Sequence, residues 1–360
     1  MTVINDANSL TNMSNSAFRV WPTLSKVPLA QRDAAERGRQ EHMVAELFEG
    51  HYVWHPAADD RVLANVCVDV RAGRYRYAHE ALAETRSDFA LRAHRSLVLA
   101  SEAAGTDLVE RWLAEEPTPE AELMWARVAV QRALRAADAR DDRAEALERI
   151  ALTACDRAAE SAPADPTPWV ARLAMARLHR LRDPAPHGLL TAPPGPWRLF
   201  AHILSLDPWH REAHHRFLSF FFTRYGGSVN AAWDVAAFLS QRAPAGSALR
   251  LLPLVALVES YNPTQLLAEQ VWEQPQWRST ALAIYQNWLP TVAGYRFTPV
   301  LDLAYLAHAL VMAQREFEAR AVFTAMGPYA SRMPWSAFGD PAEQLTRARR
   351  ACGLPVPGPA

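Results

Sequence analysis

Apolar positions recur along almost the whole chain at the three-to-four-residue spacing of a helix, and runs of strict alternation are hard to find. In AELMWARVAVQRALRAA (121–137), Leu123, Trp125, Val128 and Leu134 join several alanines in a wide stripe, with arginines on the other side. The segments 170–181, 231–243 and 300–326 repeat the pattern. Alanine, leucine, arginine and glutamate dominate, and all favour helix. The 26 prolines gather between these segments, as in EEPTPE (115–120), APADPTP (162–168) and LDP (206–208). There a missing N–H and a fixed φ punctuate the helices. The pattern predicts an all-α chain of roughly fifteen helices joined by short turns.

Three helix starts look alike: EEPTPEAELMWARVA, SAPADPTPWVARLAMA and LSLDPWHREAHHRFLSF. Their spacing, in the forties, exceeds the ~34-residue tetratricopeptide period. The third is nonetheless close to the opening of such a repeat. Asp207 is expected to cap the helix, with Pro208 as its first residue. Ala213 is small where two helices of a hairpin approach. The expected fold is therefore a tetratricopeptide-like α-solenoid of degenerate helix hairpins over 28–352. Residues 1–27, rich in Asn and Ser, are expected to be disordered, with one apolar peptide at Phe18-Arg19-Val20-Trp21. The tail 353–360 reads as an extended end. Most of the 12 tryptophans are expected to wedge between stacked helices.

Charge adds little drive towards any partner. The net charge of −1 gives no general attraction to nucleic acid or anionic membrane, so neither is expected as a partner. The apolar runs at 217–222 and 249–258 are too short to span a bilayer and read as buried helix. The first residues have neither a basic start nor an apolar stretch, so no signal peptide is expected. With three scattered cysteines (Cys67, Cys155, Cys352) that read as reduced thiols, this points to the cytoplasm.

Several chemistries are disfavoured. Lys26 is the one lysine, so no GxxxxGK phosphate loop exists. There is no GxGxxG after a strand-like run and no GxSxG elbow. The densest chemistry is PWHREAHH (208–215), with three histidines and a glutamate. His210 and His214, at i and i+4, share a helix face as in the zinc-protease HExxH. Glu212 is one place late, about 100° round the helix, which breaks the motif. The simpler expectation is turn-plus-helix packing, with His214 on a partner helix and Arg211 or Glu212 in solvent. Asp141-Asp142-Arg143-Ala144-Glu145 has the DDxxE spacing of magnesium–diphosphate sites, but its neighbourhood alternates in sign like a solvated helix face. The cluster Arg71, Arg74, Tyr75, Arg76, Tyr77 suits a hairpin turn with extended arginines better than a nucleic-acid contact. HYVWH (51–55) could hold a metal or an aromatic ligand, though packing of an inter-helix loop is the simpler account. No metal or cofactor is expected.

In TRYGGSVNAAWDVAAFLSQR, Gly226-Gly227 should end one helix and Ser228 cap the next. With LDPWHREAHHRF this block resembles a family of actinobacterial helical-repeat proteins of unknown function. In that family a DPxHREAHH-type turn precedes an R[WY]GGS helix start. The resemblance spans about 60–290 and is densest in 206–259. It implies a tetratricopeptide-like fold and brings no activity and no catalytic residues. The arginine-rich, lysine-poor composition fits such a source.

Two functional expectations follow. The first is a non-catalytic scaffold binding a peptide or partner protein on its concave face. The alternative is an enzyme or small-molecule binder with a pocket built from Trp209, His210, His214, Arg224, Tyr225, Trp233 and Glu259. A homo-oligomer needs an exposed apolar end on the array.

Overall fold

A computed structural model describes residues 51–179, 183–185, 193–261 and 270–356. The expected disordered segment 1–27 and the last four residues of the tail lie outside them.

Helix accounts for 70% of the described residues, with 15 helices of eight residues or more among them, and no strand occurs among the described residues. They are α1 (Arg61–Arg71), α2 (Arg76–Ala83), α3 (Phe89–Ala103), α4 (Leu108–Glu115), α5 (Pro119–Asp138), α6 (Ala144–Ser161), α7 (Thr167–Ala174) and α8 (Trp197–Leu206). There follow α9 (Arg211–Ser219), α10 (Val229–Arg242), α11 (Leu252–Glu259), α12 (Pro275–Asn287), α13 (Val300–Met312), α14 (Glu316–Met326) and α15 (Pro341–Ala351).

Local chemistry explains many of the starts. Asp60, Asp88, Thr118, Ser228 and Asp340 each accept from a free backbone N–H of the first turn. Pro119, Pro275 and Pro341 are first helical residues, and Pro168 and Pro253 second, where a missing N–H costs no hydrogen bond.

The apolar stripes meet in three cores. One joins α1–α4 to the start of α5, around Leu63, Leu99 and Trp112. The next is built largely of alanine, with Ala126, Ala129 and Ala133 of α5 against Ala151, Ala154 and Ala158 of α6. Small side chains let these two long helices lie close together. The third runs from Val170 to Cys352 and joins α7 to the helices that follow it. The tryptophans pack largely as expected: Trp112, Trp197, Trp272, Trp288 and Trp335 are buried, while Trp209 is 46% exposed.

Buried arginines tie the helices crosswise. Arg95 of α3 binds Asp60, the cap of α1, at 2.8 Å. Arg92 of α3 donates to Asp165, just before α7, at 2.5 Å. Arg127 of α5 holds Glu212 of α9, and Arg211 of α9 holds Asp302 of α13. Arg127 is thus not on a solvent face, as its stripe had implied.

The two ends of the described chain also meet. Val53 N–H donates to Pro328 O at 3.0 Å, and Ala330 N–H returns a bond to Val53 O at 2.9 Å. Asp59 accepts from Thr298 N–H at 2.6 Å and from its hydroxyl at 2.8 Å. Tyr52 and Thr346 hydroxyls lie 3.2 Å apart. His94 stacks on Phe297 at 4.0 Å between ring centres. A pure one-dimensional stack touches only neighbours; these contacts join segments from opposite ends of the described chain.

Candidate functional site

The PWHREAHH turn is built differently from the expectation. Asp207 does not cap the helix. It is extended, the conformation favoured before a proline, and its carboxylate accepts from Trp209 N–H at 3.1 Å. The helix therefore starts three residues later. His210 caps it, its Nδ1 accepting from Ala213 N–H at 3.2 Å. His214 then donates from Nδ1 to His210 O at 2.9 Å, with its ring edge-on to Phe200 and stacked at 6.4 Å on Trp209.

Both imidazoles are buried, and burial lowers their pKa, so they sit neutral. His215 is pushed well below its usual value by burial and by Arg211, with its Nε2 3.8 Å from Asp302. Glu212 is not in solvent: Arg127 grips both its oxygens at 2.8 and 2.7 Å. Burial alone would raise the Glu212 pKa, but Arg127 and Arg216 outweigh it and hold it at about 2. Arg211 is spent on Asp302 at 2.6 Å. His210 Nδ1, His214 Nδ1, Glu212 and Arg211 thus have structural partners, while the buried Nε2 atoms of His210 and His215 make no hydrogen bond among the described residues. A permanently ionised, gripped Glu212 is a poor proton acceptor.

The other four candidate residues gather elsewhere. Gly226 takes φ +86° and closes the turn 223–225. A Cβ on Gly227 would lie 2.0 Å from Phe221 O, so only glycine fits there. Ser228 caps α10, as expected, accepting from Ala231 N–H at 3.2 Å. Arg224 pairs with Glu259 at 3.2 Å and lies over the Tyr225 ring, whose other cation is Arg177 at 4.4 Å. Burial raises the Glu259 pKa against the pull of Arg224. Trp233 donates from Nε1 to Ser260 at 3.3 Å. No hydrogen bond, ion pair or ring contact joins Trp209, His210 and His214 to Arg224, Tyr225, Trp233 and Glu259 among the described residues. The seven do not converge as one constellation.

Trp233 instead faces an open groove of about 590 Å³ between α10 and α12. Trp233 and Trp277, edge to face at 6.0 Å, supply its aromatic wall, with Pro253 and Ile284 beside them. Gln241, Gln276 and Asn287 add amide groups, and Asp234 and Arg250 opposite charges. The helical spacing of 275–287 carried no mark of this groove.

The weaker motifs resolve structurally. Asp141 accepts from the backbone N–H and guanidinium of Arg143, which hold its pKa down to about 2 at an exposed turn before α6. Arg71, Arg74 and Arg76 each hold a carboxylate, those of Glu102, Asp69 and Glu80. Tyr75 stacks on Trp112 and donates to Glu115 at 2.8 Å. The three cysteines are unpaired and buried. No helix among the described residues is long and apolar enough to cross a membrane.

One cluster was missed. The donor atoms of His55, Cys67 and Glu102 all lie within 4.8 Å of one another. Only His55, in HYVWH, stood out in the sequence. Cys67 and Glu102 look like ordinary members of α1 and α3, and no spacing rule relates them.

No family model, curated protein or solved structure matches the chain. The resemblance seen in 206–259 therefore gains nothing from these comparisons, and no activity comes to the chain from a relative.

Proposed function

We propose that this chain is a non-catalytic, tetratricopeptide-like helical scaffold, and that the groove between α10 and α12 holds a segment of a partner protein. The groove itself is the observation that carries the reading. Its two indoles can clasp a proline or another apolar side chain, in the way aromatic-lined grooves take extended peptides. The amides of Gln241, Gln276 and Asn287 can each donate to and accept from a peptide backbone. The open shape suits a chain that runs through it better than an enclosed small molecule. The packing of α1 on α2 and α3, of α3 on α5 and of α5 on α6, with the capped starts of α1, α3 and α5, supports the tetratricopeptide-like architecture. The occupation of His210, Glu212 and Arg211 by structural partners supports a role without catalysis.

Panning a peptide library on the immobilised full-length protein tests this. The expected result is an enriched apolar or proline-containing motif whose affinity falls about tenfold or more in Trp277→Ala, given what an aromatic anchor contributes. Enriched peptides that bind Trp277→Ala and Gln241→Ala unchanged, or no enrichment at all, would overturn the assignment.

A further inference from the structure

We propose that His55, Cys67 and Glu102 form a binding site for a thiophilic divalent cation of the zinc type, which fastens the segment 51–57 to α1 and α3. The three donors are sulfur, imidazole nitrogen and carboxylate oxygen, all within 4.8 Å of one another. Tetrahedral zinc with bonds of 2.0–2.3 Å holds its ligands about 3.5 Å apart. Side-chain rotation therefore has at most about 1 Å to close. A magnesium or calcium ion takes oxygen ligands, and the thiol selects against both. Three protein ligands leave a fourth position for water.

A cation already occupies part of this place. The Arg71 guanidinium donates to both oxygens of Glu102 at 2.6 and 2.9 Å, and its Nη2 lies 3.2 Å from His55 Nε2. Two of the three ligands thus converge on a positive charge. The third, Cys67, is fully buried beside them and engages no disulfide. The Arg71 side chain is 37% exposed, so it can swing into solvent as a metal enters. Binding is then an exchange of cations around Glu102. The Cys67 thiol proton leaves for solvent as the sulfur–metal bond forms, so one proton is released per ion. Because binding releases a proton, affinity rises with pH.

The site lies where the chain closes. Val53, two residues before His55, pairs with Pro328 and Ala330. A metal on His55 fixes the segment that pairs with 328–330, and gives this scaffold a metal-dependent clasp.

The test is titration of the full-length protein, stripped with chelator, with cobalt(II) and zinc(II). The expected result is one equivalent bound, with a near-ultraviolet thiolate-to-cobalt band that Cys67→Ser abolishes. His55→Ala and Glu102→Gln should each weaken binding by about 10-fold or more. Arg71→Gln should tighten it, because the competing cation is gone. The Val53 and Ala330 amides should exchange more slowly with metal present. Absence of the band in the wild-type protein, or binding that survives Cys67→Ser, would overturn the site. Weaker binding in Arg71→Gln would overturn the exchange.

Discussion

Arg127 and Glu212 are 85 residues apart and meet through two hydrogen bonds of 2.8 and 2.7 Å. Their side chains are 3% and 11% exposed. The pair joins α5 to α9, and the preceding residue, Arg211, continues the link to Asp302 of α13. The most chemically suggestive helix in the sequence is thus a structural hub. Replacing one partner leaves a buried charge alone. Glu212→Gln should therefore cost about 3–5 kcal/mol, while the double change Arg127→Met with Glu212→Leu should cost far less. Urea unfolding of the three proteins checks this.

The same pair sets an acid limit. The folded-state pKa of Glu212 is about 2, below its ordinary value of 4.5. Its contribution is complete above about pH 4.5 and is lost as pH falls towards 2, because the unfolded chain takes up the proton first. The double variant should show a shallower loss of stability across that window in pH-dependent denaturation.

His308 acts in a higher window. It is caged by Trp272, Trp335 and Phe338, and burial lowers its pKa to about 3. The unfolded chain binds a proton near pH 6.5 that the folded ring refuses. Stability from the neutral ring is whole above pH 6.5 and drains away as pH falls towards 3. His308→Leu should flatten the slope of stability against pH below 6.5, measured by thermal unfolding across that range.

His210 should behave as a cap and not as a ligand. His210→Ala removes the acceptor for Ala213 N–H and should cost about 1 kcal/mol, whereas His210→Asn should recover most of it. Thermal melts distinguish the two. A loss of equal size in both variants would show that the ring matters for something besides capping.

Gly227 should tolerate change less well than Gly226. Alanine at 226 meets only the strain of φ +86°, with open space around it. At 227 it would press a Cβ to 2.0 Å from Phe221 O, which forces the backbone to shift. Gly227→Ala should cost at least about 1–3 kcal/mol, the usual range for overpacking, and more than Gly226→Ala. Paired denaturation curves check the order.

Much of the architecture is legible in local patterns. The stripe in 121–137, the caps at Asp60 and Ser228 and the prolines at 119 and 341 depend on neighbours within a few residues, so the sequence determines them. The site did not follow from such rules. Asp207 looked like a cap, but it spends its carboxylate on Trp209 and leaves the cap to His210. Arg127 and Glu212 looked solvated because their partners are tens of residues away. Trp233 meets Trp277, Cys67 meets Glu102 and Asp59 meets Thr298 only after helices from distant parts of the chain have packed. Helix periodicity states which face of a segment is apolar. It does not state which helix covers that face, and the groove, the buried pairs and the three-donor cluster are all consequences of that packing choice.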